Sequence, residues 1–146
     1  MTITAYPDVL GGLFWYLRIP AQITALTGDR IADEVKPEWS FAAKKAKYAI
    51  VIPGRRGTPV ETDDPIGRWR FDVIVYGPNK LAAATLMNLV LGYLCPKDGQ
   101  RNGFTAPHVH VNWIAVEGGP NDLIEPDTDW TFSLASIHVD FDGVPY

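Results

Sequence analysis

Hydrophobic and polar positions alternate most regularly between Gly67 and Tyr76, where Trp69, Phe71, Val73 and Val75 are interleaved with Arg68, Arg70 and Asp72. Period two with one apolar phase predicts a strand with one buried and one wet face. From Pro78 to Leu94 the pattern changes. Only Asn79, Lys80, Thr85 and Asn88 are polar, and the stretch ends at Pro96, which predicts a helix that is apolar nearly all round. A sheet covers one face of such a helix, so the surplus apolar positions point to a second subunit. Leu86, Leu89 and Val90 are the candidate contact residues there.

Weaker patterns fill in the rest. Val9, Leu10, Leu13, Phe14 and Leu17 lie at helical spacing behind Pro7 and Asp8, predicting a helix over 7–18. Gly11 and Gly12 cost that helix roughly 1 kcal/mol each relative to Ala, so it needs close backbone packing or an outside partner. Ala21 to Leu26 adds a further helical turn, stopped by Thr27-Gly28-Asp29, and Arg30 to Val35 reads as a short strand. Lys47 to Ile52 is apolar on both phases, as in a central strand. Pro53 to Pro65, with three prolines, two glycines and both charge signs, reads as a long projecting loop.

Two strands follow, about His108 to Val116 and Asp129 to Phe141, separated by a polar turn segment from Gly118 to Thr128. The last strand changes phase, from Trp130, Phe132 and Leu134 to Ile137, Val139 and Phe141, which predicts a β-bulge near Ala135 and Ser136. The expected fold is therefore α+β: a mostly antiparallel twisted sheet of four to five strands, two main helices on one face, and a long loop between the second and third strands. At 146 residues the chain fits one domain spanning 1–146.

Composition narrows the function classes. Hydrophobic residues make up 47% and charged residues 21%, as in packed globular domains. A net charge of -4 argues against dense phosphate neutralisation, and hence against tight nucleic-acid binding. The single cysteine, Cys95, excludes a disulfide framework within the chain and any Cys-rich zinc module. Leu81 to Cys95 falls short of the ~20 residues of a membrane span, and Met1 to Ala5 lacks a secretory n-region, so neither membrane insertion nor export is expected.

Candidate chemistry is sparse. His108 and His110, two apart on an expected strand, would share a face and could bind one metal, with His138 joining from a neighbouring strand. The competing reading is a polar strand face, and no third ligand follows from the sequence. Asp122, Glu125, Asp127 and Asp129 do not match a calcium loop, because Pro126 interrupts them. There is no Gly-x-Ser-x-Gly elbow and no phosphate-binding glycine loop, and Cys95 ends an apolar helix. No cofactor is expected. The remaining candidates are contact residues: Arg55 and Arg56 beside Asp63 and Asp64 in the long loop, and Trp15 and Trp39, for which a core role competes.

Several segments, taken in order, carry a family likeness: Leu26-Thr27-Gly28-Asp29-Arg30-Ile31 after a first helix, the Tyr48 to Pro53 strand, the proline-rich loop, Arg70 to Gly77, the apolar helix, and Gly118-Gly119-Pro120 leading to Asp127-Thr128-Asp129-Trp130. In this order and spacing the chain resembles the tail terminator, or tail completion, proteins of long-tailed bacteriophages over most of its length. The resemblance implies a non-enzymatic virion protein, assembled in the host cytoplasm, whose six copies form a ring on the head-proximal end of the tail tube. Its implied partners are further copies of itself, the tail-tube protein and the head-neck connector. DNA would pass through the lumen without sequence-specific binding. Another neck or tail-tube ring protein is the alternative, followed by a metal-dependent enzyme using His108 and His110.

Overall fold

The computed structural model describes residues 7–37, 39, 47–56, 67–96, 103–124 and 130–142. Three helices, α1 (Val9–Leu17), α2 (Ala21–Thr27) and α3 (Lys80–Leu94), accompany seven strands: β1 (Ile31–Ala32), β2 (Ala49–Val51), β3 (Arg55–Arg56), β4 (Gly67–Gly77), β5 (Phe104–Ala106), β6 (Val109–Ile124) and β7 (Thr131–Asp142). The fold is α+β. Its sheet has the order β1-β2-β4-β7-β6-β5, with β3 also on β4. Among the described strands, only β1 and β2 pair in parallel.

Among the described residues the sheet has more strands than the four to five the patterning predicts, because Arg55–Arg56, read as loop, and Phe104–Ala106, a stretch with no predicted element, are both paired. Arg55 and Arg56 lie opposite Phe71 and Arg70, so β3 continues β2 along the same edge of β4. Between them Ile52, Pro53 and Gly54 face only two β4 residues, and Gly54 takes φ 131°, open to glycine. Likewise Gly118 to Ile124 extends β6 rather than forming a turn. The remainder of the expected loop, and 125–129 of the expected turn, lie outside the described residues.

All three helices bury side chains in one cluster on one sheet face. Val9, Leu13 and Leu17 of α1, Ile23 of α2, and Leu86, Met87, Val90 and Leu94 of α3 meet Phe71, Val73, Val75, Ile137 and Val139. The glycine pair in α1 has a packing reason: a Cβ on Gly12 would lie 2.5 Å from Val109 Cγ1. Close approach to β6 thus offsets the helical cost. Asp8 caps this helix by accepting from the Gly11 amide at 3.0 Å. Asn79 does the same for α3 through the Ala82 amide at 2.9 Å.

The turn from β4 into α3 is tight. A Cβ on Gly77 would meet Ala83 N at 2.7 Å and Ala83 Cα at 3.0 Å, and backbone atoms cannot swing aside as a side chain can. Gly77→Ala is expected to destabilise the protein by about 1–3 kcal/mol through overpacking, read as a lowered denaturant midpoint at unchanged slope.

A second, smaller cluster covers the other sheet face at the end where β2 starts. Trp39, Ala49, Val51, Tyr76 and Trp130 form it, with Val35, Ile74 and Phe132 packed against it. Tyr76 and Trp130 pack with centroids 4.1 Å apart. This explains why β2 is apolar on both phases: Ile50 and Ile52 belong to the helix side, Ala49 and Val51 to the other.

It also overturns the expected bulge at Ala135 and Ser136. β7 keeps unbroken register with β4 from Thr131 opposite Gly77 to Phe141 opposite Gly67. Ser133, Ala135, Ile137, Val139 and Phe141 are all buried in one phase. The apolar Trp130 and Phe132 belong to the second cluster, so the phase change reflects two covered faces. The register shifts lie in β6 instead, between Val111 and Trp113, Val116 and Gly118, and Gly118 and Asn121.

Candidate functional site

Away from the helices, the wet face of β4, β6 and β7 carries a connected polar network. Arg68 donates from Nε to Asp140 Oδ1 at 2.6 Å and from a terminal nitrogen to Oδ2 at 3.1 Å. These residues are cross-strand partners, and the carboxylate holds the Arg68 guanidinium still further above its ordinary pKa, chiefly through the hydrogen bond. Being open to solvent, such a pair contributes about 0–1 kcal/mol. Next along the face, Glu117 accepts from His138 Nδ1 at 3.0 Å and forms an ion pair with Arg70 Nε at 3.1 Å. Glu117 lies at a register shift of β6, and through it the shifted strand is tied to both β7 and β4.

Ser136 Oγ donates to Asp72 Oδ1 at 2.8 Å. A depression of about 230 Å³ lies among Arg70, Asp72, Glu117, Gly118 and Ser136. The serine gives its proton to a carboxylate while His138 is bound to Glu117, so the imidazole does not activate the hydroxyl in this arrangement.

The histidines do not form the expected pair. His108 sits in the connection between β5 and β6 at φ 66°, not on the strand, so it does not share a strand face with His110. His110 Nδ1 lies 2.7 Å from Thr105 Oγ1 and shares a hydrogen bond with it. His110 faces Asp142 across the ladder while His138 lies four residues back on β7, roughly 13 Å along the strand. Among the described residues, no three His, Cys, Asp or Glu side chains gather as a metal-binding group. Burial pushes the Cys95 thiol up to about 11, away from nucleophile chemistry.

The expected contact residues divide. Trp15 is 41% exposed, and Leu89 is 39% exposed on α3, where Leu81 is 77% exposed. Leu86 and Val90, by contrast, are fully buried against the sheet, and Trp39 is buried in the second cluster. These three side chains are core, because the sheet and the Tyr76–Trp130 pair cover them within the same chain. Arg55 and Arg56 form β3, and Asp63 and Asp64 lie outside the described residues.

The surface that sequence reasoning missed is β6. Trp113, Val116, Leu123 and Ile124 are exposed, four of the eight large apolar side chains exposed among the described residues. The adjacent Leu123 and Ile124 were the available signal, hidden by the turn-forming Gly118-Gly119-Pro120 before them. No described helix is long and apolar enough to cross a membrane. No protein-family model matches the chain, and no curated protein matches it.

Proposed function

We propose that the protein is a structural subunit of a long-tailed bacteriophage tail, a tail terminator whose copies close into a ring, most simply of six. In this reading it acts by shape and catalyses nothing. The ring docks on the head-proximal end of the tail tube, stops its growth and joins the tail to the head-neck connector, while DNA passes through the lumen without base-specific contacts. One ring face matches the last tube ring; the other withholds the surface that recruits a further tube subunit.

The observation that carries this reading is the placement of exposed apolar surface at two unlike sites. Leu81 and Leu89 lie on α3, and Trp113, Val116, Leu123 and Ile124 lie on the outlying strand β6. Contacts between unlike patches are head-to-tail, and such contacts close into rings or run on as filaments. A tube subunit or neck ring protein would share that habit, which makes assembly behaviour the test. Purified protein mixed with tail-tube protein is expected to give capped tubes of limited length in electron micrographs, with single rings when alone. Long cylinders from the protein alone would assign it to the tube, and absence of both rings and capping overturns the reading.

A further inference from the structure

We infer that neighbouring subunits meet head to tail, with the acidic and apolar stretch Asp122 to Ile124 of one copy seated on a basic corner formed by Arg18, Ile19 and Arg30 of the next. This rests on the ring reading and names the surfaces that close it. On one side of the sheet, Asp122, Leu123 and Ile124 end β6, and all three are exposed. On the other side, Arg18 caps α1 and donates to the Ile31 carbonyl at 2.8 Å, with Ile19 exposed beside it. Arg30 precedes β1 and donates to the Tyr48 carbonyl at 2.8 Å and to the Leu26 carbonyl at 3.2 Å.

Register puts the two surfaces at one level. Asp122 faces Ser133, Ser133 faces Val75, Val75 faces Ile50 and Ile50 faces Ile31, a single line across five strands. Four inter-strand spacings of ~4.8 Å separate its ends by roughly 19 Å, so Asp122 and the Arg18 guanidinium, held at Ile31, do not meet within one chain. Unlike surfaces level with each other on opposite sides of a molecule are what a head-to-tail ring contact joins.

Charge selects the partner. Among the described residues, Lys36, Arg68 and Arg70 form ion pairs with carboxylates, whereas Arg18, Arg30, Lys47 and Lys80 form none, and Asp122 has no cation. Arg18, Arg30 and Lys47 lie beside β1 and β2, where Asp33 and Glu34 are held by Lys36 and Asp29 alone opposes them, so the corner stays positive. Backbone carbonyls already fix both guanidiniums, and each keeps N–H groups for a carboxylate, so little side-chain freedom is lost on pairing. Pairing β6 with another β6 would set Asp122 against Asp122, and α3 is uncharged from Leu81 to Leu94. Lys80 is the remaining cation, but Gly77 just before it shares a ladder line with Thr131 and Ile124. Lys80 on Asp122 of a second copy is therefore reciprocal and stops at a dimer.

Cross-linking and sedimentation test this on the full chain. With Ile19→Cys and Asp122→Cys in one chain, a short bismaleimide added to the assembled protein is expected to give a ladder of species up to the whole ring on a denaturing gel, since a head-to-tail seam links every copy to two others. Wild type, carrying Cys95 alone, and each single substitution are expected to give no ladder. Asp122→Arg, altering a side chain that holds nothing in the monomer, is expected to keep the melting temperature and to need at least about tenfold more protein to assemble, equivalent to about 1.4 kcal/mol. Adding Arg18→Glu to that chain is expected to restore part of the loss, which a folding defect would not allow. Rings that neither cross-link nor respond to Asp122→Arg overturn the seam and leave the ring reading standing. Cross-linking that stops at dimers also overturns it, in favour of the reciprocal Lys80 contact. Wild type that stays monomeric with and without tail-tube protein overturns both.

Discussion

Trp130→Ala is expected to destabilise the protein by about 3–5 kcal/mol, the range for deleting a buried large aromatic. Trp130 has no exposed surface, packs 4.1 Å from the Tyr76 ring, and donates from Nε1 to the Lys47 carbonyl at 3.1 Å. That bond ties the start of β7 to the approach to β2, across β4. Trp130→Phe separates the two contributions. It keeps most of the ring packing but leaves the carbonyl without its donor, so a loss of about 1–3 kcal/mol is expected. Equilibrium urea unfolding of the three proteins checks both figures. If alanine costs less than phenylalanine, the second cluster does not hold that end of the sheet.

Leu86 and Leu89, only three positions apart on α3, are expected to respond in opposite ways. Leu86→Ala removes a fully buried side chain beneath the sheet and is expected to cost about 2–5 kcal/mol of monomer stability. Leu89→Ser alters a side chain that is 39% exposed, and is expected to shift stability by no more than about 0.5 kcal/mol. If α3 meets another subunit, the second substitution lowers assembly without lowering the melting temperature. Combined thermal melts and sedimentation separate these effects. A strongly destabilised Leu89→Ser would place that face of the helix in the core and remove it as a contact.

The elements most accurately read from the sequence are those whose periodicity needs no partner to interpret. β4 appears over Gly67–Gly77 with Trp69, Phe71, Val73 and Val75 buried, as the alternation predicts. α3 begins two residues inside the expected boundary, because Pro78 precedes the Asn79 cap. Patterns with two competing causes were misread. An apolar residue in the unexpected phase of β7 means either a bulge or a second covered face, and only the cluster around Trp130 decides which. Gly118-Gly119-Pro120 has turn chemistry, yet β6 carries it within a strand by shifting register against β7.

The candidate contacts show the same division. Surplus apolarity on α3 was visible in its composition, but Leu86, Leu89 and Val90 could not be sorted without knowing where the sheet lies against the helix. The exposure of Trp113, Val116, Leu123 and Ile124 on β6 was not settled by the adjacent Leu123 and Ile124 alone, since a strand's place in sheet order depends on distant pairing. The sequence by itself determined the periods of α1, α3 and β4 and where the two helices begin, behind Pro7 and Pro78. Only the tertiary structure decided that the sheet is covered on two faces at one end, and that β6 lies beyond β7 with Trp113, Val116, Leu123 and Ile124 exposed. The physical reason is that local periodicity records that a side chain leaves water, whereas what it packs against is set by residues far away along the chain.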